Sequence, residues 1–422
     1  MKSPIERKIF KVVSVASIGG GLEMYDFVIY AFFAPILAKL FLPATDDLTE
    51  LLRIFTVFAL GYFVRPLGAM VFGHYSDRVG RKKILLFTIV LMAVATTAIG
   101  LLPTYQSIGM SATLLLIFFR LLQGFAVGGD LPGAITFVAE HVDKSRRGLY
   151  CSWIYTGVNL GFTLASVVSA SIAAILTPDQ QTLFGWRIAF LFGLVLTVVG
   201  YYLRSQLSET PKFILAEEKK LLRRFPIRYV FKQEFLPFLQ GVGIVCLGAV
   251  VVGHMLFMPS YLHLVAGLSL RQSLFFNTAG MIVWSGFILW MGHLSDKWGR
   301  KKIIGFSAIT LILFSYELYW LIATAKIAYI ILALLIFAVC MSGIIGAFAS
   351  TLSELFSTPV RNSGLGLAYN LGFALFCSVT PLVMTSLIQR FGALAPSFWV
   401  IAAAIITLST CFTIPESISK EL

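Results

Sequence analysis

The chain has 422 residues, 58% of them apolar and only 13% charged, with a mean hydropathy of +0.88. Soluble domains are about 45–50% apolar and about 25% charged, so the composition excludes a soluble enzyme, a disordered chain and a secreted disulfide scaffold, and indicates a polytopic membrane protein. The formal charge of +13, from 33 Lys+Arg against 20 Asp+Glu, fits basic loops that orient membrane helices and does not call for a nucleic-acid partner.

A helix crosses the bilayer in about 20 residues, and apolar runs of that length recur along the whole chain. Spans are predicted near residues 12–42, 51–75, 84–103, 111–139, 149–176, 186–204, 236–262, 272–294, 303–322, 327–352, 363–388 and 392–415. The runs are too long and unbroken for a barrel, whose strands alternate over about 10 residues. The fold class is therefore all-α, with twelve transmembrane helices in two six-helix bundles. The expected division is residues 1–204 for the first bundle, 205–234 for a polar linker containing EEKKLLRRFPIR, and 235–422 for the second bundle. With the N-terminus in the cytoplasm, 25 Lys and Arg fall in cytoplasmic segments and six in external ones. That asymmetry predicts a multi-pass membrane protein with both termini cytoplasmic. Arg204 is counted with the linker. The basic N-terminus leads into a span-length run containing Glu23 and Asp26, which argues against a cleavable signal peptide. Cys151, Cys246, Cys340, Cys377 and Cys411 are scattered, without the spacing of a disulfide frame or a metal site. No Walker loop is present, so ATP is not expected to drive the protein directly, and no cofactor is expected.

One motif occurs twice. Gly73-His74-Tyr75-Ser76-Asp77-Arg78-Val79-Gly80-Arg81-Lys82-Lys83 matches Gly292-His293-Leu294-Ser295-Asp296-Lys297-Trp298-Gly299-Arg300-Lys301-Lys302 at eight of eleven positions, 219 residues apart. Each copy follows the second span of its half, as a duplicated six-span unit requires. An aspartate at the end of its own helix is disfavoured by the helix dipole, so Asp77 and Asp296 are expected to gain from a cation or from another helix's N-terminus, holding one side shut. Gly73, Asp77, Arg78, Gly80, Arg81, Gly292, Asp296, Gly299 and Arg300 are thus gating candidates.

Ionisable residues within spans are costly and each invites a role. Glu23 and Asp26 share a face of span one, with Tyr30 a turn beyond. In span four, Arg120, Gln123 and Asp130 lie on a polar stripe. Asp26 and Arg120 are candidates for a pair: beside the guanidinium the carboxylate stays ionised, and separation lets it take a proton. A static packing pair is the alternative. Glu23 is either a second proton carrier or a polar helix contact. Asp130, Glu354 and Arg361 are assigned to gating, with Glu354 near Arg361, and Arg65 is structural or gate-lining. His254 either binds substrate or is a satisfied core histidine. Tyr25, Tyr30, Gln123, His254, Phe257, Tyr261, Asn277 and Trp284 are the substrate-binding candidates.

The doubled motif, together with Glu23-Met24-Tyr25-Asp26-Phe27, Val64-Arg65-Pro66-Leu67-Gly68, the Arg120–Asp130 stretch, Arg146-Arg147-Gly148, Glu209-Thr210-Pro211, Arg361-Asn362-Ser363-Gly364 and Tyr369-Asn370, resembles the major facilitator superfamily. Within it the chain is most similar to the metabolite:proton symporters, which carry proline/betaine, shikimate, alpha-ketoglutarate or citrate. The resemblance implies alternating access, spans one, four, seven and ten lining the pathway, and proton coupling by an acid on span one and an arginine on span four, which Asp26 and Arg120 match. It also implies an inner-membrane location, and a small-molecule substrate and a proton as partners of a monomer in the bilayer. The chain departs from the family at Asp130-Leu131-Pro132, where a glutamate and a glycine-rich tail are usual, and Pro132 is expected to bend span four. The last six spans hold no Lys or Arg at depth. That favours a zwitterion or a small carboxylate over a tricarboxylate. An exporter remains the alternative, but Tyr155–Thr163 lacks the proline of the exporter motif on span five.

Overall fold

The computed structural model describes residues 4–43, 47–79, 81–206, 226–357 and 360–416. Among these there is no strand, and twelve helices are long and apolar enough to cross a membrane. Span one is Pro4–Phe32, continued after a break at Phe33 by Ala34–Phe41, with Pro35 in the first turn of the second piece. Span two is Asp47–Phe63 and Arg65–Val79, interrupted just before Arg65-Pro66. Spans three to six are Arg81–Leu101, Met110–His141, Arg147–Ile175 and Trp186–Ser205. Spans seven to ten are Phe235–Leu264, Leu270–Trp298, Arg300–Ala323 and Ile327–Leu355. Span eleven runs from Arg361–Gly372 through a π-turn at Phe373–Cys377 to Thr380–Phe391, and span twelve is Pro396–Thr413. Most of the predicted linker, residues 207–225, lies outside the described residues; its end forms the helix Pro226–Gln233.

Two seams within the first six spans are set by glycine. A side chain on Gly124 of span four would strike the Gly61 carbonyl of span two, and one on Gly161 of span five would strike the Gly21 carbonyl of span one. These helices meet backbone to backbone, as small residues permit in lipid. The first and last six spans meet through a close approach of Gly148 to Gly292, through ring packing of Tyr155 on Phe348 and through polar contacts. Asn159 Nδ2 donates to the Met281 carbonyl and to Ser285 Oγ, both at 2.8 Å, and Ser166 and Thr278 hydroxyls pair at 2.6 Å.

Pro132 lies inside an unbroken helix, and its role is chemical. Proline has no N–H for the carbonyl four residues back, which here belongs to Gly128. Asn370 Nδ2 of span eleven donates to that carbonyl at 2.8 Å. The proline thus converts a backbone acceptor of span four into a docking point for span eleven.

Candidate functional site

The end of the bundle that carries the repeated motif holds a network of buried charges. Asp296, in the last turn of span eight, accepts from the backbone N–H of Gly148 at 2.8 Å and of Leu149 at 2.9 Å. These are the free donors of the first turn of span five, so the carboxylate sits on a foreign helix N-terminus, where the dipole favours it. Arg300 holds the same carboxylate at 2.7 Å. Gly299 joins spans eight and nine at φ 112°, a conformation that glycine alone adopts without strain. Glu354 lies between Arg147 at 2.7 Å and Arg300 at 3.5 Å. Arg361 pairs with Glu140 at 3.1 Å and donates to the Ser353 carbonyl at 2.9 Å, so the expected Glu354–Arg361 proximity resolves into two separate ion pairs. Every one of these contacts except Arg300–Asp296, Arg300–Glu354 and Arg361–Ser353 ties the first six spans to the last six. Of the first motif copy, Gly73 is half-buried in span two; Gly80 and the side chains of Asp77, Arg78 and Arg81 lie outside the described residues.

Deeper in the bundle is a second cluster. Arg204, near the end of span six, is 3% exposed and donates to Glu23 Oε1 at 2.9 Å. It also grips Asp130 with both Nη groups, Nη2 to Oδ2 at 2.9 Å. The guanidinium fits there because Gly19 leaves room; a side chain at that position would meet Arg204 Nε at 2.5 Å. Asp130 is therefore part of a cluster joining spans one, four and six, separate from the motif-side network. Two carboxylates share one cation, so with both acids ionised the cluster carries one uncompensated negative charge. Glu23 Oε2 has no hydrogen-bond partner.

Asp26 and Arg120 do not pair. Asp26 Oδ2 accepts from Thr197 of span six at 3.2 Å, and Oδ1 has no partner. Arg120 Nη1 donates to the Phe27 carbonyl at 2.8 Å and to Gln123 Oε1 at 2.9 Å. Its guanidinium carbon lies 4.1 Å from the Phe27 ring centroid, 4.5 Å from Tyr30 and 4.9 Å from Phe58. The physical reason is helix rotation. Successive residues of a helix point about 100° apart, and span one turns Asp26 toward span six while Phe27 and Tyr30 face Arg120. Gln123 bridges the two regions, donating to Thr96 at 2.7 Å and to the Asp26 carbonyl at 3.3 Å.

Arg65, in the middle of span two, is likewise ringed by aromatics. Its guanidinium carbon lies 5.0–5.7 Å from the ring centroids of Tyr62, Phe373, Tyr369 and Phe27, and Nε donates to Asn370 Oδ1 at 3.1 Å. Among the described residues no carboxylate pairs with Arg65 or Arg120.

The remaining substrate candidates do not converge on this region. Tyr25 donates to the Ala189 carbonyl of span six at 2.8 Å. His254 meets the Tyr319 hydroxyl of span nine at 2.8 Å and packs on Phe337, and Tyr261 donates to the Ala393 carbonyl at 2.7 Å. Phe257 packs beside Tyr261, Asn277 reaches Met281 Sδ at 3.8 Å, and Trp284 is buried. Tyr30 alone of the aromatic candidates faces Arg120, and Gln123 alone of the polar ones touches it. Because Tyr319 partners Nδ1 of the buried His254 while Nε2 has no partner, Tyr319→Phe is expected to cost about 1 kcal/mol of stability and to leave transport within about twofold, read by thermal unfolding and uptake rate.

Arg147, Glu140 and Arg204 are the charged members that sequence reasoning missed as site residues. The signal for Arg204 was an imbalance: in the first six spans three acids, Glu23, Asp26 and Asp130, outnumber the two arginines at depth.

Twelve helices, a duplicated motif whose second copy docks on a helix N-terminus, and charge clusters between helices are features of a membrane transporter built by duplication. The family model for the Major Facilitator Superfamily matches residues 16–381, and the chain belongs to that superfamily. It is 32% identical over 428 residues to the proline/betaine transporter of Escherichia coli K12, covering 98% of this chain and 85% of that protein. It is also 32% identical over 426 residues to the glycine betaine/proline/ectoine/pipecolic acid transporter OusA of Dickeya dadantii, with the same coverage. Among solved structures it is similar to the proton:xylose symporter XylE bound to 6-bromo-6-deoxy-D-glucose, with a TM-score of 0.77, 17% identity and coverage of 97% of this chain and 96% of the other. The human organic anion transporter MFSD10 gives a TM-score of 0.72 at 16% identity, covering 97% and 99%.

Proposed function

We propose that the protein is a proton-coupled symporter that takes up a small zwitterion such as proline or betaine, with both termini and the motif-side network in the cytoplasm. The observation that carries the coupling is the sharing of one guanidinium by Glu23 and Asp130. One proton on Glu23 makes the cluster neutral and dissolves its pairing with Arg204, while Asp130 keeps its two-fold grip. Span one then loses its ionic tie to span six and keeps only the hydrogen bonds of Tyr25 and Asp26. Glu23 is one helical turn, about 6 Å, from Phe27, whose ring lies against Arg120. A shift of span one after protonation therefore moves the wall of the central arginine region, which links proton and substrate occupancy. Asp26, held only by the Thr197 hydroxyl, is the second proton-carrying candidate. The names of the 32%-identical relatives support the substrate class, and the basic loops support the orientation.

The test is uptake of radiolabelled proline, betaine, shikimate, alpha-ketoglutarate and citrate into proteoliposomes, with and without an inward proton gradient. Gradient-driven accumulation of a zwitterion is expected in the wild type. In Glu23→Gln it is expected to fall about tenfold or more, while gradient-free exchange of the same compound persists. Full accumulation in Glu23→Gln together with loss in Asp26→Asn would move the proton site to Asp26; silence across the panel would remove the substrate assignment.

A further inference from the structure

Among the described residues two buried arginines remain without a counter-charge, and they are close together. Arg65 and Arg120 are 1% and 0% exposed. Both stand against the Phe27 ring, at 5.7 and 4.1 Å from its centroid, which puts the two cations within about 10 Å of each other, near enough to repel strongly in a low-dielectric interior. Arg65 Nη2, Arg120 Nε and Arg120 Nη2 have no hydrogen-bond partner. Their satisfied contacts are to neutral acceptors: Asn370 Oδ1 for Arg65, the Phe27 carbonyl and Gln123 Oε1 for Arg120. An unpaired buried charge is among the most costly features a protein can carry, and a pair of them in mid-membrane marks a place where charge of the opposite sign arrives from outside the chain.

The surroundings select the visitor. Phe27, Tyr30, Phe58 and Tyr62 from spans one and two, with Tyr369 and Phe373 from span eleven, wall the two guanidinium groups. Arg65 lies at the junction of the two halves, since its partner Asn370 belongs to span eleven and docks on span four through the Gly128 carbonyl. A planar anion suits the fork of a guanidinium, which offers parallel N–H donors to two oxygens. We infer that Arg65 and Arg120 together form the binding site for the carboxylate of the transported substrate, with the aromatic wall packing its apolar or quaternary-ammonium part. This deepens the symporter reading above and rests on it for the word "transported"; carboxylate binding itself does not. The site is distinct from the Glu23–Asp130–Arg204 cluster: Arg120 and Asp130 are ten residues apart on one helix, about 15 Å along its axis.

Two measurements test it. In the first, thermal unfolding of the detergent-solubilised full chain is followed in sodium propionate, sodium chloride and propionamide, at equal ionic strength. Propionate is expected to raise the midpoint by several degrees, chloride and propionamide not; Arg65→Gln and Arg120→Gln are expected to abolish the rise. An equal rise in chloride, or a propionate effect that survives in both variants, overturns the inference. In the second, betaine uptake is competed with choline, which keeps the quaternary ammonium and lacks the carboxylate. Choline is expected to compete about 100-fold less well, because a site built for a polar group rejects the analogue lacking it. In Arg65→Gln the betaine KM is expected to rise about 30-fold with choline inhibition unchanged. Choline competing as well as betaine, or an unchanged KM in both variants, overturns the assignment. Where a glutamine variant does not purify as a single species, Arg65→Lys and Arg120→Lys keep the charge and remove the fork; the betaine KM is then expected to rise about tenfold, and an unchanged KM overturns it. A propionate effect without uptake of any compound would sink the transport reading and leave the carboxylate site standing.

Discussion

Arg204→Gln is expected to destabilise the protein by about 3–5 kcal/mol, the cost of removing one partner from a buried ionic cluster. Glu23 and Asp130 would be left facing each other at 6% and 1% exposure, with no cation among their hydrogen-bond partners and Glu23 Oε2 already unpaired. The loss is not additive with loss of the acids. Glu23→Gln/Asp130→Asn/Arg204→Gln removes all the charge and is expected to recover most of the stability, because neutral amides cost far less to bury than lone carboxylates. Uptake is expected to be absent in both. Thermal unfolding in detergent checks the first statement and proteoliposome uptake the second. A single substitution as mild as a surface change, within about 0.5 kcal/mol, would mean that the cluster is hydrated and not the closed ionic unit described here.

Glu354→Gln is expected to have the largest effect on conformation. It removes the carboxylate that Arg147 and Arg300 share and leaves two buried guanidinium groups on opposite sides of the junction between the first and last six spans. Like charges there repel, so the state with the motif side open gains at the expense of the latched one. Cys151, buried one turn beyond Arg147 and within the field of Arg147, Arg300, Asp296 and Glu354, reports the opening. With Cys246, Cys340, Cys377 and Cys411 replaced by alanine, labelling of Cys151 by a membrane-impermeant maleimide from the motif side is expected to speed up by about tenfold or more, the response to a shift of about 1.4 kcal/mol in the opening equilibrium. Unchanged labelling would show that Asp296 on the span-five N-terminus and the Arg361–Glu140 pair suffice to keep this side shut.

The twelve helices were legible because a membrane span announces itself by length and apolarity, and the doubled motif was legible because its spacing repeats. The chemistry of Asp296 was legible too: an aspartate closing its own helix needs an outside donor, and the structure supplies the N-terminus of span five. What a single sequence does not carry is the rotation of one span relative to the next. Asp26 and Phe27 are neighbours in the chain, yet one faces span six and the other the central arginines, so the expected Asp26–Arg120 pair does not form. Arg204 was hidden for a different reason. At the end of an apolar run followed by a polar stretch, an arginine has the pattern of a side chain that reaches for the interface; only the room left by Gly19 turns it inward. His254 and Tyr261 show the same limit on the other half, where spans seven and nine share a hydrogen-bonded aromatic layer that no periodicity in either span foretells.

The glycine seams and the polar junctions age differently under mutation. At Gly124 and Gly161 the facing group is a backbone carbonyl of the neighbouring helix, and no exchange elsewhere in the chain makes a carbonyl smaller, so these positions can drift only to residues that never fill the gap. At the Asn159–Ser285, Asn370–Arg65 and Glu354–Arg147 contacts both groups are side chains, and a change on one helix can be answered by a change on the other. Related sequences should therefore record two histories: fixed positions where helices meet backbone to backbone, and paired substitutions where side chains join the two halves.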